Sequence, residues 1–177
     1  MRLLTLLFCT FLCTSARAQM TPIEIQTAPA PSSAFTGDLA LGAPLERFDW
    51  AWDSQNACFV ETRQEHFTGN MVLYRTEIPR YSTMVIRLIP DDPTQEMSLL
   101  AYSGGGGALP PELRSCVSCE ADFPLEQRRI GRDLPAHVRE IELRAVTRPY
   151  PITIAVFGAD GLAEGGYRLE VEVRKNR

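Results

Sequence analysis

The chain has few of the residues on which most enzyme chemistry depends. Among its 177 residues are two histidines and one lysine, and no Gly-x-Ser-x-Gly nucleophile motif occurs. Four consecutive glycines, residues 104–107, are not followed by the Lys-Ser/Thr pair of a phosphate-binding loop. No segment carries a long apolar repeat of 3.6 residues, which argues against a helical fold. These absences disfavour nucleotide-binding and serine-hydrolase classes.

The first eighteen residues are predicted to form a secretory signal peptide. Arg2 supplies a positive charge, residues 3–12 form an apolar run, and Ala16-Arg17-Ala18 fits a small-x-small cleavage site. The apolar run is too short to span a bilayer. Cleavage near Ala18 leaves a mature chain without a transmembrane segment. We expect this mature chain to fold in the periplasm or outside the cell, where cysteines oxidise.

The mature chain is mildly acidic. Without the signal peptide it has 16 basic and 22 acidic residues, a net charge of −6. Such a charge argues against nucleic acid or anionic lipid as a partner. All basic residues except Lys175 are arginines. They are scattered along the sequence, which favours a compositional bias over a basic cluster.

Alternation of apolar and polar side chains predicts strands at 72–78, 84–88, 139–145 and 167–173. Residues 152–157 are apolar on both faces, which predicts a central strand. Proline and glycine separate these segments. The pattern predicts an all-β fold, a jelly-roll-like antiparallel β-sandwich of seven or eight strands. We expect one domain at 38–177, after a flexible Pro/Ala/Ser-rich leader at 19–37.

Three cysteines remain after cleavage: Cys58, Cys116 and Cys119. An odd number predicts one disulfide and one free thiol. A Cys58–Cys119 bridge closes a far longer loop than a Cys116–Cys119 bridge and is therefore the more stabilising pairing. We predict Cys58–Cys119, with Cys116–Cys119 as the alternative.

Three short segments carry a family resemblance. They are the strand Met97-Ser98-Leu99-Leu100-Ala101-Tyr102, the segment ITIAVFG at 152–158, and the closing pattern Gly166-Tyr167-Arg168-Leu169-Glu170-Val171. Together they resemble the bacterial pre-peptidase C-terminal type of domain, a secreted β-sandwich that accompanies exported enzymes. The resemblance covers about 58–173. It implies a non-catalytic accessory or binding module.

Several residues are candidates for chemical sites. Asp91 and Asp92 with Glu96, or Asp160 with Glu164, are calcium candidates in turns, although aspartate also favours turns for backbone reasons. The three cysteines with His66 or His137 match a zinc site in residue type, but a disulfide is favoured in an oxidising compartment. No other cofactor is predicted. A hydrolase would need His66 or His137 beside a carboxylate and a hydroxyl such as that of Ser103.

The aromatic residues Phe48, Trp50 and Trp52 alternate with Asp49, Ala51 and Asp53. If exposed, their rings form a possible platform for a sugar or peptide; burial as an ordinary strand face is the favoured alternative. We expect a non-enzymatic binding module for another exported protein or an envelope polysaccharide. The alternatives are a structural component of an envelope assembly and, third, a hydrolase.

Overall fold

Two packed β-sheets form the body of the protein in a computed structural model, which describes residues 20–27, 32–52, 57–124 and 134–176. The all-β sandwich predicted from the sequence is confirmed, with ten strands instead of seven or eight. The strands are β1 (Ile23–Glu24), β2 (Ser33–Asp38), β3 (Ala43–Pro44), β4 (Asn70–Ile78), β5 (Ser82–Pro90), β6 (Met97–Ser103), β7 (Ser118–Asp122), β8 (Arg139–Ala145), β9 (Tyr150–Gly158) and β10 (Gly166–Lys175). Short 3₁₀ helices lie at Leu39–Leu41, Asp49–Ala51, Glu61–Phe67 and Gly105–Gly107.

The strand order is β1-β4-β9-β6-β7 in the larger sheet, with β3 also paired to β4, and β2-β10-β5-β8 in the smaller sheet. All pairs are antiparallel except β1 with β4. As predicted, β9 is central, because both of its faces are apolar and both are covered. The predicted signal peptide lies outside the described residues.

The main core lies between the sheets. It is built from the inward side chains of alternating positions, as the period-two pattern indicates. For example, Met84, Ile86 and Leu88 of β5 lie beside their partners Val173, Val171 and Leu169 of β10 on the inward face of the smaller sheet. Two buried tyrosines also meet here, since the hydroxyls of Tyr74 and Tyr167 are hydrogen bonded at 2.8 Å. Gly37 of β2 packs directly against both phenol groups and leaves no room for a Cβ atom.

A second apolar cluster covers the outer face of the larger sheet. Residues 45–52, 57–67 and 104–117 run across this face, and we call them the loop layer. Their side chains Phe48, Trp50, Phe59, Phe67 and Leu113 pack on outward residues of the sheet such as Met71, Leu73, Leu100 and Phe157. Phe59 stacks on Phe67 with ring centroids 4.0 Å apart. The larger sheet is therefore buried on both sides.

The prediction of a flexible leader at 19–37 is wrong for its described residues. Strand β2 pairs with β10 along all six residues, and β1 pairs with β4. The composition misled because β2 is an edge strand with one partner and small side chains. Its half-buried Phe35 is the one large apolar side chain that marks the core face. The folded unit thus includes residues that precede 38.

Burial of the tyrosines predicts a loss of stability in alkali. Burial raises the pKa of Tyr102 to about 12 and also raises the pKa values of Tyr74 and Tyr167. The unfolded chain ionises its tyrosines near pH 10, so the stabilisation is complete below about pH 10 and is lost as the pH rises through about 12. Urea unfolding between these pH values should show a falling midpoint. A midpoint that stays constant while tyrosinate absorbance rises in the folded protein would contradict this expectation.

Candidate functional site

The predicted disulfide is present. Cys58 and Cys119 are bonded, with their Cα atoms 4.9 Å apart, while Cys116 is free and partly buried. The bridge joins the loop layer to β7. Burial raises the pKa of the Cys116 thiol, which leaves it protonated and unreactive at neutral pH. No group of three or more potential metal ligands occurs among the described residues.

The aromatic stripe is not an exposed platform. Phe48 and Trp50 are buried in the loop layer, and the backbone at Asp49–Ala51 is a 3₁₀ helix instead of a strand. The indole Nε1 of Trp50 donates to the Arg47 carbonyl at 3.0 Å. Trp52 is partly exposed and meets the ring of Phe59 edge-on at 6.1 Å. Burial therefore removes two of the three rings from any ligand.

His66 has a carboxylate neighbour, since its Nε2 atom lies 3.5 Å from Oε1 of Glu65, but the candidate hydroxyl of Ser103 is bonded elsewhere. His66 is 15% exposed and stacks on Phe123 with ring centroids 5.4 Å apart. The Nδ1 atom of His66 is buried without a hydrogen-bond partner. The hydroxyl of Ser103 is bonded to that of Ser118 at 2.9 Å, and His137 lies in the turn before β8. In the described part of the chain no histidine activates Ser103.

The acidic turn residues make local backbone contacts. The carboxylate of Asp92 accepts hydrogen bonds from the amide and hydroxyl of Thr94 at 2.9 and 2.7 Å, which lower its pKa. The amide of Asp91 bonds to Gly166, and Asp160 adopts a left-handed conformation with φ of 49°. The side-chain contacts of Asp92 and the left-handed backbone of Asp160 account for aspartate at these two positions. Calcium binding stays a prediction.

A surface that the sequence did not reveal lies at one end of the sandwich. The strand register brings the β4–β5 turn (79–81), the β6–β7 connection (104–117), the β8–β9 turn (146–149) and residues 174–176 to the same end. Ile78 pairs with Tyr150, Ser82 pairs with both Ala145 and Lys175, and the Gly104 amide donates to the Pro151 carbonyl at 2.9 Å. We call this surface the basic end.

The basic end collects cations that are far apart in sequence. Its exposed basic residues are Arg80, Arg114, Arg144, Arg148, Arg174 and Lys175. The exposed acids at or beside this end include Glu77, Glu112 and Glu142, which lies two residues from Arg144 on the same face of β8. Arg174 is held by Glu172 through two hydrogen bonds of 2.7 Å. The other five basic side chains form no ion pair with any described residue. The inference of scattered arginines is therefore wrong for the folded chain.

Three large apolar side chains are exposed among these cations. Tyr81 is 54% exposed, Val117 60% and Val146 62%, and each lies on a different connection of the basic end. Tyr81 has a φ of 54°, an uncommon conformation for a residue with a side chain. The guanidinium of Arg80 lies 5.8 Å from its ring centroid. The surface thus offers both charge and apolar contact.

The opposite end of the sandwich is acidic in its described residues. The β5–β6 turn contributes Asp91, Asp92 and Glu96, and the β9–β10 turn contributes Asp160 and Glu164. The pairing of Tyr167 with Pro90 and of Met97 with Gly158 places these turns together. The fold thus places basic residues at one end of the sandwich and acidic residues at the other, a separation that the net charge of the chain does not reveal. One signal in the sequence could have indicated this charge separation. Successive turns between antiparallel strands alternate between the two ends of a sheet, so every second turn lies at the same end.

Several solved structures are similar to this chain in fold. Similar solved structures include PliG of Aeromonas hydrophila, a periplasmic inhibitor of g-type lysozyme (14% identity over 88% of this chain and 98% of that one, TM-score 0.43). The pre-peptidase C-terminal domain of a Bacillus anthracis collagenase is also similar (9% identity, 88% and 97%, TM-score 0.41), as is the K1 cleaved adhesin domain of Lys-gingipain from Porphyromonas gingivalis (14%, 82% and 99%, TM-score 0.34).

The family that the sequence resembles is therefore among the structural neighbours. These similarities concern the fold. No family model and no curated protein matches the chain. None of the described helices has the length and apolar character needed to cross a membrane.

Proposed function

We propose that this protein is an exported β-sandwich module without catalytic activity that binds its partner through the basic end. The observation that carries the proposal is the convergence of four chain segments on one surface. They present exposed cations and exposed apolar side chains on a rigid scaffold of paired strands. Loops held by a rigid sheet framework are the usual location of binding residues. The partner is another exported protein or an envelope polysaccharide.

Export is supported by two independent features. Residues 1–18 have the layout of a secretory signal peptide. The Cys58–Cys119 bridge belongs to an oxidising compartment, such as the periplasm or the extracellular space. We therefore place the mature protein outside the cytoplasm.

A second candidate function is a structural role in an envelope assembly, which one edge of the smaller sheet favours. Strand β2 at this edge has no charged side chain before Asp38, and its outward Ala34 and Thr36 are small. The opposite edge strand, β8, carries outward Glu142 and Arg144, and the Glu140 amide is capped by Asp122 at 2.9 Å. Charged edges resist the addition of a further strand, whereas an edge like β2 accepts one.

Site-specific photo-crosslinking in the producing cell tests the proposed binding surface. A benzophenone side chain placed at Val117 or Val146 should give partner adducts of higher mass. The same group at Leu41, which is 72% exposed near the acidic end, serves as the matched control and should give none. Adducts at Leu41 alone, or at no position, would contradict binding through the basic end. Adducts at Ala34 alone would favour assembly through β2.

A further inference from the structure

We infer that the basic end binds an acidic polysaccharide, a chain of sugars that carries carboxylate, sulfate or phosphate groups. This inference rests on the proposed function and adds the chemical class of the partner. It is carried by the arrangement of the cations, by the position of Tyr81 among them and by the small number of large apolar side chains exposed in the described part of this end.

The cations are spaced to meet repeated charges. Arg144 and Arg174 lie on the outer face of the smaller sheet, in register on either side of Thr83. Two strand spacings separate them, about 10 Å. Arg80 and Arg148 continue the series on the two adjacent turns, and Lys175 ends β10 beside Ser82. A guanidinium binds carboxylate, sulfate and phosphate oxygens in a two-pronged geometry.

Exposed cations of this kind favour a polyanion over a single small anion. A solvated ion pair contributes little by itself and is screened by salt. Several such pairs formed by one chain add together, because the chain is held after its first contact. The five basic side chains that form no ion pair with a described residue are exposed and are available for this purpose, and Glu142 is the acid that shares the outer face of β8 with one of them, Arg144. A linear polyanion is therefore the ligand that this surface fits.

The apolar side chains favour a sugar over an acidic protein. Tyr81 presents an exposed aromatic ring next to Arg80, and such a ring can pack on the face of a sugar while the guanidinium binds its acidic group. Protein interfaces need a central cluster of buried apolar anchors. The exposed large apolar side chains in the described part of the basic end are only Tyr81, Val117 and Val146, among six exposed basic residues.

Affinity electrophoresis of the folded, oxidised protein tests the inference. Gels would contain alginate as the carboxylate polymer, dextran sulfate as the sulfated polymer, or neutral dextran. Migration should be retarded by at least one acidic polymer and not by dextran, and added salt should weaken the effect. The double substitution Arg80→Gln with Arg148→Gln should weaken binding about tenfold. Tyr81→Ala should weaken binding to the sugar polymers.

A matched control removes the same charge elsewhere. Arg63 and Arg168 are exposed and lie away from the basic end, so Arg63→Gln with Arg168→Gln should leave retardation unchanged. Equal weakening in both double variants, or no retardation by either acidic polymer, would overturn the inference. Tighter binding to polyglutamate than to the acidic sugars would assign an acidic protein instead. If the polysaccharide inference failed in one of these ways, crosslinks at Val117 and Val146 would still support binding through the basic end. Absence of these crosslinks would contradict both the proposed function and the polysaccharide inference.

Discussion

Replacement of both Cys58 and Cys119 by serine is expected to lower the free energy of unfolding by about 4 kcal/mol. The bridge closes a loop across a sequence separation of 61 residues, and cross-linking a loop of that length removes much of the entropy of the unfolded chain. It also fixes the loop layer to β7, over a cluster that includes Phe59 and Tyr102. Few single interactions in a domain of this size contribute as much.

Urea unfolding of the double variant measures this effect, with Cys116→Ser as the matched control. Cys116 is unbonded, so its replacement should leave the unfolding midpoint almost unchanged and should abolish the single thiol that titrates in the denatured, unreduced protein. Three titratable thiols in the secreted protein would contradict the bridge. If the alternative Cys116–Cys119 bridge formed instead, Cys116→Ser would be destabilised and replacement of Cys58 alone by serine would leave the midpoint unchanged.

Substitution of Gly158 by alanine is the second change with a large expected effect. An added Cβ would overlap the backbone carbonyl of Leu162, and the backbone cannot move aside as the tip of a side chain can. The amide of Gly69 also bonds to the Gly158 carbonyl at 2.9 Å, so a shift there would disturb the start of β4. We expect a loss of about 3 kcal/mol, at the upper end of overpacking effects.

Thermal and urea unfolding of Gly158→Ala would be compared with Gly106→Ala. At Gly106 a Cβ meets no atom within 4 Å, but the φ of 61° is left-handed. That variant should lose only about 1 kcal/mol, the cost of the backbone conformation. If the two variants lost equal stability, steric overlap at Gly158 would not be the cause.

The fold was largely predictable where one strand face meets the core and the other meets water. Residues 139–145 and 167–173 alternate cleanly, and the structure has strands there. Strand β2 escaped prediction because Ser, Ala, Thr and Gly carry little apolar signal at a sheet edge. The stripe at Phe48, Trp50 and Trp52 misled for a different reason. Its rings pack in a loop layer where no strand period applies.

The candidate site could be predicted only in part, because most of its residues are distant in the chain and are brought together by strand pairing. The disulfide followed from loop length, and it is present. The basic end did not follow from any local run of charge, since Arg80 and Arg148 are 68 positions apart in the chain. Their proximity arises from the pairing of β5 with β8 and of β4 with β9. Charge counted along the chain therefore differs from charge counted over the folded surface.

The position of β2 fixes where a shortened version of this protein has to begin. A chain that begins at residue 38, the boundary that composition suggests, would lack β2. Strand β10 would then become the edge strand of the smaller sheet, with one side unpaired. Phe35 would leave the core, and Tyr74 and Tyr167 would lose the backbone that shields them. Recombinant versions that start after the signal peptide and keep β1 and β2 are expected to retain the complete sandwich. Shorter versions expose the edge of β10 and are expected to exchange strands between molecules and to precipitate.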